Sequence, residues 1–447
     1  MTGIVFVATL VLLPVLGWGL VPRRAAAWLP VPAGIAVAAG LGAVVVAVEM
    51  FAMSALGIRW TVLRVAALPL VLTVVRLAQT RRSERRSWPR AAPLALVAMG
   101  IGMLVTTYAA LTTRSTNADL LLFWGAKAQR FAAARGIDVP YLADPLHWAL
   151  HSDYPPLLPC LWAFSSLAAA NFAWGASLAT LPVFAGFLVL AVWGLARLDG
   201  DDGVAARSAA VMAAFIACTF PAAGVAGNAD PVLVFFEATA LFILLFAADR
   251  PGATLIAGAF LAACVLTKFE GVFFVAGLLG ASLLVPRRTR IRDTAIMAAL
   301  PAAALSAWFV YCRSHGLLMY LGHPPRLYLS AERLGAVIRR LTAGASYGVA
   351  YAPWIVVFLL LCVTRAPRER WTLALGTAAV TLVADALVYL TAPGDPTLWV
   401  QWSGARLLLT PLVCLYAAAI SEPGGAAALS RSSGDRTRST ASAAPAA

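Results

Sequence analysis

Between Asn117 and Pro156 the chain places acids, bases and aromatic rings where apolar sequence would otherwise continue. Asn117 and Asp119 follow a hydrophobic run directly. Trp124, Lys127 and Arg130 come next, along a predicted helix over 120–136 that lies on a membrane surface. His147, His151, Asp153 and Tyr154 follow, and Pro155 and Pro156 lead back into apolar sequence. A carboxylate at such a boundary can take a proton from a hydroxyl as a general base. Asn or Asp there would equally serve as a helix cap, accepting orphan backbone N–H groups. Because Asn117 and Asp119 flank Ala118, one can cap while the other is free. Lys127, eight residues beyond Asp119, falls about 80° around an ideal helix and two turns along, where it would face the same cleft.

Other charged residues recur at the edges of apolar runs. In Gly227-Asn228-Ala229-Asp230-Pro231, Asp230 reads as a cap with proline at the first helical position, or as a second site carboxylate. Glu237 lies seven residues on, on the same face and about two turns into an apolar run, where carboxylates are costly and usually face a functional cavity. Thr267-Lys268-Phe269-Glu270-Gly271 joins two apolar runs; Lys268 either snorkels beside Glu270 or holds a phosphate. Arg406 begins the last run and suits bidentate pairing with a phosphate or anchoring to lipid headgroups. His147 and His151, four apart with Asp144 and Asp153 nearby, have a spacing that suits a divalent metal but lack a third ligand. Glu49 and Asp385 lie inside runs with no partner evident in the sequence.

These residues must be positioned by a membrane protein. Of 447 residues, 61% are hydrophobic and 12% charged, with a mean hydropathy of +0.83. Soluble domains are nearer a quarter charged. The net charge of +14 points to cytoplasmic loops rather than to nucleic acid. The first run has no basic segment before it, which predicts a retained span rather than a cleaved signal. The six cysteines are scattered singly and read as small core residues. No phosphate-cradling glycine-rich loop is present, so an ATP-driven pump is not expected.

Apolar runs near 4–20, 31–52, 61–77, 91–113, 174–196, 205–222, 231–247, 253–267, 271–285, 295–312, 346–364, 372–391 and 404–420 predict an all-α bundle of about 13 spans, one domain over 1–420. The tail, 421–447, is predicted disordered. Arginine clusters at 76–90 and 287–292 should both be cytoplasmic, which requires an even number of crossings between them. The run 157–170 is short for a crossing, at about 21 Å of helix against a core of about 30 Å. Taken as a non-crossing helix, it puts the 114–156 and 313–345 loops on the non-cytoplasmic face, with Asp119, Asp230, Lys268 and Glu270. The second loop carries Arg313, Arg326, Arg333, Arg339 and Arg340, an excess that calls for an anionic partner. Within it Leu334, Val337, Ile338 and Leu341 repeat at the spacing of an interfacial helix.

Five segments together resemble the GT-C superfamily of polytopic glycosyltransferases, in particular bacterial relatives of the protein O-mannosyltransferases and lipid A aminoarabinose transferases. They are Asp119 in the first large loop, Trp124-Gly125-Ala126-Lys127-Ala128, Asp153-Tyr154-Pro155-Pro156-Leu157, Asn228-Ala229-Asp230-Pro231 and Leu266-Thr267-Lys268-Phe269-Glu270-Gly271. The likeness covers about residues 91–290, with a weaker echo at 402–411. It implies transfer of a sugar from a polyprenyl-phosphate donor to an acceptor on the outer face of a bacterial plasma membrane. Asp119 would be the general base, and Lys268, Arg326 and Arg406 the cations for the departing phosphate. Trp124, Lys127, Asp153, Tyr154, Asn228, Asp230, Glu237 and Glu270 would line the substrate site. Many relatives pair two acids in the first loop and Asp119 has no adjacent acid, so metal use stays open, with a divalent metal as the possible cofactor. The rival expectation is a non-enzymatic carrier or flippase for an anionic lipid-linked glycan, with Glu49, Glu237 and Asp385 as an internal polar path.

Overall fold

A computed structural model of the chain describes residues 1–79, 88–113, 117–285, 290–317, 330–343, 345–365, 368–391 and 395–420. Arg326, most of the two arginine clusters and the tail from Ser421 lie outside the described residues. Among the described residues, all regular structure is helical.

Helices α1 (Thr2–Val11) and α2 (Leu13–Gly17) form one interrupted rod, and the short α3 (Arg23–Ala26) follows. Then come α4 (Val31–Ala55), α5 (Val62–Gln79) and α6 (Pro93–Thr112). A π-helical turn, Leu120–Trp124, runs into α7 (Gly125–Ala134), followed by α8 (Val139–Ala143) and a tight 3-10 segment, Pro145–Leu150. The bundle continues through α9 (Leu157–Ala169), α10 (Trp174–Ser177), α11 (Thr180–Ala196), α12 (Asp202–Ala222) and α13 (Asp230–Phe246). After these lie α14 (Ala253–Thr267), α15 (Glu270–Leu284), α16 (Arg290–Ser314) and α17 (Ala331–Ala343). The last four are α18 (Ala345–Arg365), α19 (Arg368–Thr391), α20 (Pro396–Leu407) and α21 (Leu409–Ala419).

Among the described residues, nine helical stretches are long and apolar enough to cross a membrane. α13, α14 and α15 are shorter, at 17, 15 and 15 residues. Each predicted apolar run is helical, with three differences in detail, one of them the turn at Leu178 and Ala179 that divides the 174–196 run into α10 and α11. The first run is interrupted at Leu12. The last begins at Pro396 rather than near 404 and turns at Leu408, so Arg406 ends one helix instead of opening the next.

The centre of the bundle is α13, in which every residue from Asp230 to Phe246 is buried. Its sequence predicts this, because a helix apolar on all sides has no face to offer water. Phe235 and Phe236 meet Phe184 of α11 and Phe260 of α14 at ring-centroid distances of 5.4–6.5 Å. Elsewhere backbones close in on small residues, the usual means of helix association where lipid removes the hydrophobic drive. A Cβ on Gly194 would lie 2.3 Å from the Ala33 nitrogen, and one on Gly42 would lie 2.1 Å from the Leu13 carbonyl oxygen. Outward, α5 and α6 expose Leu63, Val74, Leu94 and Leu104, an apolar surface far larger than soluble monomers carry.

The two ends of the bundle differ in chemistry. At one end Arg370 pairs with Asp199, Arg197 with Asp202 and Arg23 with Gln79. At the other, Asn117 Nδ2 donates to the Ala226 carbonyl at 2.9 Å, and α17 lies on α20 with Val337 buried against Val400 and Tyr389. Leu334 and Ile338 of α17 stay exposed, and Arg333 Nη2 donates to the Tyr389 carbonyl at 3.0 Å.

The contact at Gly194 gives a test of the packing. Gly194→Leu should separate α4 from α11 and destabilise the protein by about 1–3 kcal/mol or more, the cost of overpacking. Gly175→Ala, where an added Cβ meets nothing within 4 Å, should leave the melting temperature in detergent unchanged.

Candidate functional site

Helix ends converge at the second of these faces. Asp230 stands in the first turn of α13, Lys268 at the C-terminus of α14, Glu270 at the start of α15 and Arg406 in the last turn of α20. Helix dipoles favour this arrangement, with acids at N-termini and bases at C-termini. Lys268 is extended (φ −158°, ψ 152°), which breaks the chain between α14 and α15 and turns its side chain inward. Gly271 permits that break, because a Cβ there would lie 2.4 Å from the Cys264 carbonyl oxygen.

The side chains form a chain of opposite charges. Lys268 Nζ lies 3.1 Å from Asp230 Oδ1 and 3.1 Å from Glu270 Oε1. Arg406 Nη1 lies 3.8 Å from Asp230 Oδ2 and pairs directly with Asp119 Oδ2. Asn228 completes the link, its amide oriented so that Nδ2 donates to Asp119 Oδ2 at 2.9 Å and Oδ1 accepts from Arg406 Nη1 at 3.0 Å. Lys268 and Asp230 are buried, whereas the Asp119 side chain is about a third exposed (35%). Burial alone would lower the Lys268 ammonium, but Asp230 and Glu270 outweigh it and hold the group above its ordinary range.

Asp119 is free for this role because Asn117 does the capping: Asn117 Oδ1 accepts from the Asp119 backbone N–H at 2.9 Å. Asp119 itself makes no cap bond. Gly227, at φ +83°, makes the close approach possible; a Cβ there would touch Leu120 at 3.0 Å.

Lys127 makes no ion pair with Asp119, although both act electrostatically on His151. The expectation that it shares a cleft with Asp119 assumed an ideal helix, but the wider π turn over Leu120–Trp124 breaks that register. Lys127 is buried, its Nζ donating to the His151 carbonyl at 2.7 Å and sitting 4.4 Å from the Phe123 ring centroid. The buried Asp153 carboxylate acts on it electrostatically, and the Asp153 carbonyl accepts from Trp308 Nε1 at 2.7 Å. Burial lowers the Lys127 ammonium from 10.5 to about 7 against the pull of Asp153. Trp124 packs with Phe123 and Tyr154, and Tyr154 lies 4.7 Å, ring to ring, from Phe269 beside Lys268. Trp124, Lys127, Asp153 and Tyr154 therefore form an aromatic clamp that seats the first loop against the ion chain.

The histidines do not share a helical face. The 3-10 segment ends at Leu150, His151 adopts a left-handed backbone (φ 49°), and His147 Nδ1 lies 3.0 Å from the Tyr141 carbonyl. Burial, with Lys127 adding to it, lowers the His151 imidazole to about 4. Among the described residues no three His, Cys, Asp or Glu side chains gather as metal ligands would. One partner escaped the sequence reading: Thr410 Oγ1 donates to buried Glu237 Oε2 at 2.5 Å. The only signal was the i, i+4 spacing of Arg406 and Thr410.

Two outcomes follow. Lys268→Met should cost about 3–5 kcal/mol by leaving Asp230 buried without its cation, and Asp230→Asn in the same chain should restore most of it, read from thermal melts of the four variants. The lowered Lys127 makes the folded state hold fewer protons than the unfolded one between about pH 7 and 10.5. Its contribution to stability therefore rises with pH across that window, and Lys127→Met should remove this rise.

No family model matches the chain, and no curated protein matches its sequence.

Proposed function

We propose that the chain is an integral-membrane glycosyltransferase of the GT-C type, moving a sugar from a polyprenyl-phosphate donor to an acceptor at the non-cytoplasmic face of a bacterial plasma membrane. The observation that carries this reading is the Asp119–Arg406–Asp230–Lys268 chain, with Asp119 at its exposed end. A general base must reach the substrate hydroxyl, and Asp119 alone of these acids combines that exposure with a fixed position. Of the cations needed by a leaving phosphate, Arg406 adjoins Asp119 and Lys268 lies beyond Asp230.

In this reading the free site is closed on itself, since Arg406 is occupied by Asp119. The donor phosphate displaces Asp119 from Arg406, and the released carboxylate turns to the acceptor. The acceptor oxygen then attacks the anomeric carbon while its proton passes to Asp119. The bond from that carbon to the phosphate oxygen breaks, and the electron pair leaves with the phosphate beside Arg406 and Lys268. Asp230 and Glu270 hold Lys268 in place, and Asn228 orients both partners of the outer pair.

A bundle of 13 passes would put these groups on one face. The nine long stretches would be joined by α13, α14, α15 and α18, while α9 would stay on the site side, where Trp162 Nε1 donates to Thr180 Oγ1 at the start of α11. The carrier or flippase reading draws on Glu237 and Asp385, which are buried below the ion chain. Detergent separates the two, because a transferase makes product without a sealed membrane. Asp119→Asn should lower transfer from a polyprenyl-phosphate sugar by about 10²–10⁴-fold in protein that still melts as a folded bundle; undiminished transfer would remove Asp119 as the base.

A further inference from the structure

Below the ion chain, helices α13, α15, α19, α20 and α21 enclose a cleft lined by Asp230, Glu237, Glu270, Asp385, Arg406 and Thr410, with Thr381 beside them. It has room for about one water-sized guest. The carboxylates lining the cleft are Asp230, Glu237, Glu270 and Asp385; among the described residues Arg406 on its wall and Lys268, paired with Asp230 and Glu270, oppose them. Four acids against two bases leave a deficit of positive charge inside an apolar bundle, where an uncompensated charge is expensive.

Asp385 points to where the compensation sits. It is 5% exposed, and its Oδ1 has no hydrogen-bond partner. The hydroxyls nearby have already placed their protons: Thr410 donates to Glu237 Oε2 at 2.5 Å and Thr381 to the Thr377 carbonyl at 2.9 Å. Their oxygens are left with lone pairs only. Every donor facing the lower cleft is thus a hard oxygen, which suits an alkali or alkaline-earth cation rather than a softer metal. Two carboxylates and two hydroxyls are too few for a divalent cage, and among the described residues no three His, Cys, Asp or Glu side chains are grouped as metal ligands. We infer that Glu237, Asp385, Thr381 and Thr410 bind a small monovalent cation, of the size of sodium, as a site separate from the proposed transfer chemistry.

The test reads stability, so it does not depend on the transferase reading. The full chain in detergent is melted at fixed alkaline pH and constant ionic strength while sodium replaces N-methylglucamine. The midpoint should rise saturably by about 2–4 °C with sodium, and Asp385→Asn should abolish the rise. Glu237→Gln gives the same readout should Asp385→Asn fail to fold. Equal midpoints in the two salts, or a sodium response that survives in either variant, would overturn the site. So would a midpoint that follows pH and ignores sodium, which would assign the compensation to protons.

Discussion

The buried contact between Lys268 and Asp230 is the constraint on which the site end of the bundle depends. Neither charge would be tolerated alone at that depth, and each is held by its partner. The pair joins the end of α14 to the start of α13, the helix buried on every side, so it fixes where the innermost element begins. Glu270 and Arg406 then attach to the same two charges from α15 and α20. Four helix ends are thereby held at one level by side-chain charges.

The outer end of this chain is built differently from the inner. Asp119 follows a helix end and precedes a π turn, a place where backbone groups are poorly satisfied and side chains must compensate. Asn117 takes that task, which releases the carboxylate for Arg406. A polar loop between two long apolar helices would otherwise be mobile. Here the Phe123, Trp124, Tyr154 and Phe269 rings pack it down beside Lys268, and the buried Lys127 holds the His151 carbonyl underneath. A lysine so enclosed destabilises in its charged form, so this seat is maintained by aromatic packing and by the proximity of Asp153 rather than by charge alone.

Two polar compartments result, one above the other. The upper is charged on both signs and reaches solvent at Asp119; the lower is lined by acids and hydroxyls and shares Asp230, Glu270 and Arg406 with the upper. Tyr351 marks the packing around the boundary, its hydroxyl donating to the Ala405 carbonyl at 2.9 Å just before Arg406.

Composition and apolar periodicity alone determine that the chain is helical and where its helices run, because a span must satisfy its own backbone and so leaves a continuous apolar signature. The positions of Asp119, Asp230, Lys268 and Arg406 at the edges of those runs are also legible, since charges are rare there. What the sequence cannot contain is the pairing between them. Asp119 and Arg406 are 287 residues apart and meet only because α6 and α20 end at the same level. Ideal helical geometry likewise turned Lys127 toward the cleft of Asp119, and the four-residue spacing of the two histidines suited a metal; a single π turn and one left-handed residue undo both. Such local departures from the 3.6-residue repeat depend on what packs around them, so only the tertiary structure decides them.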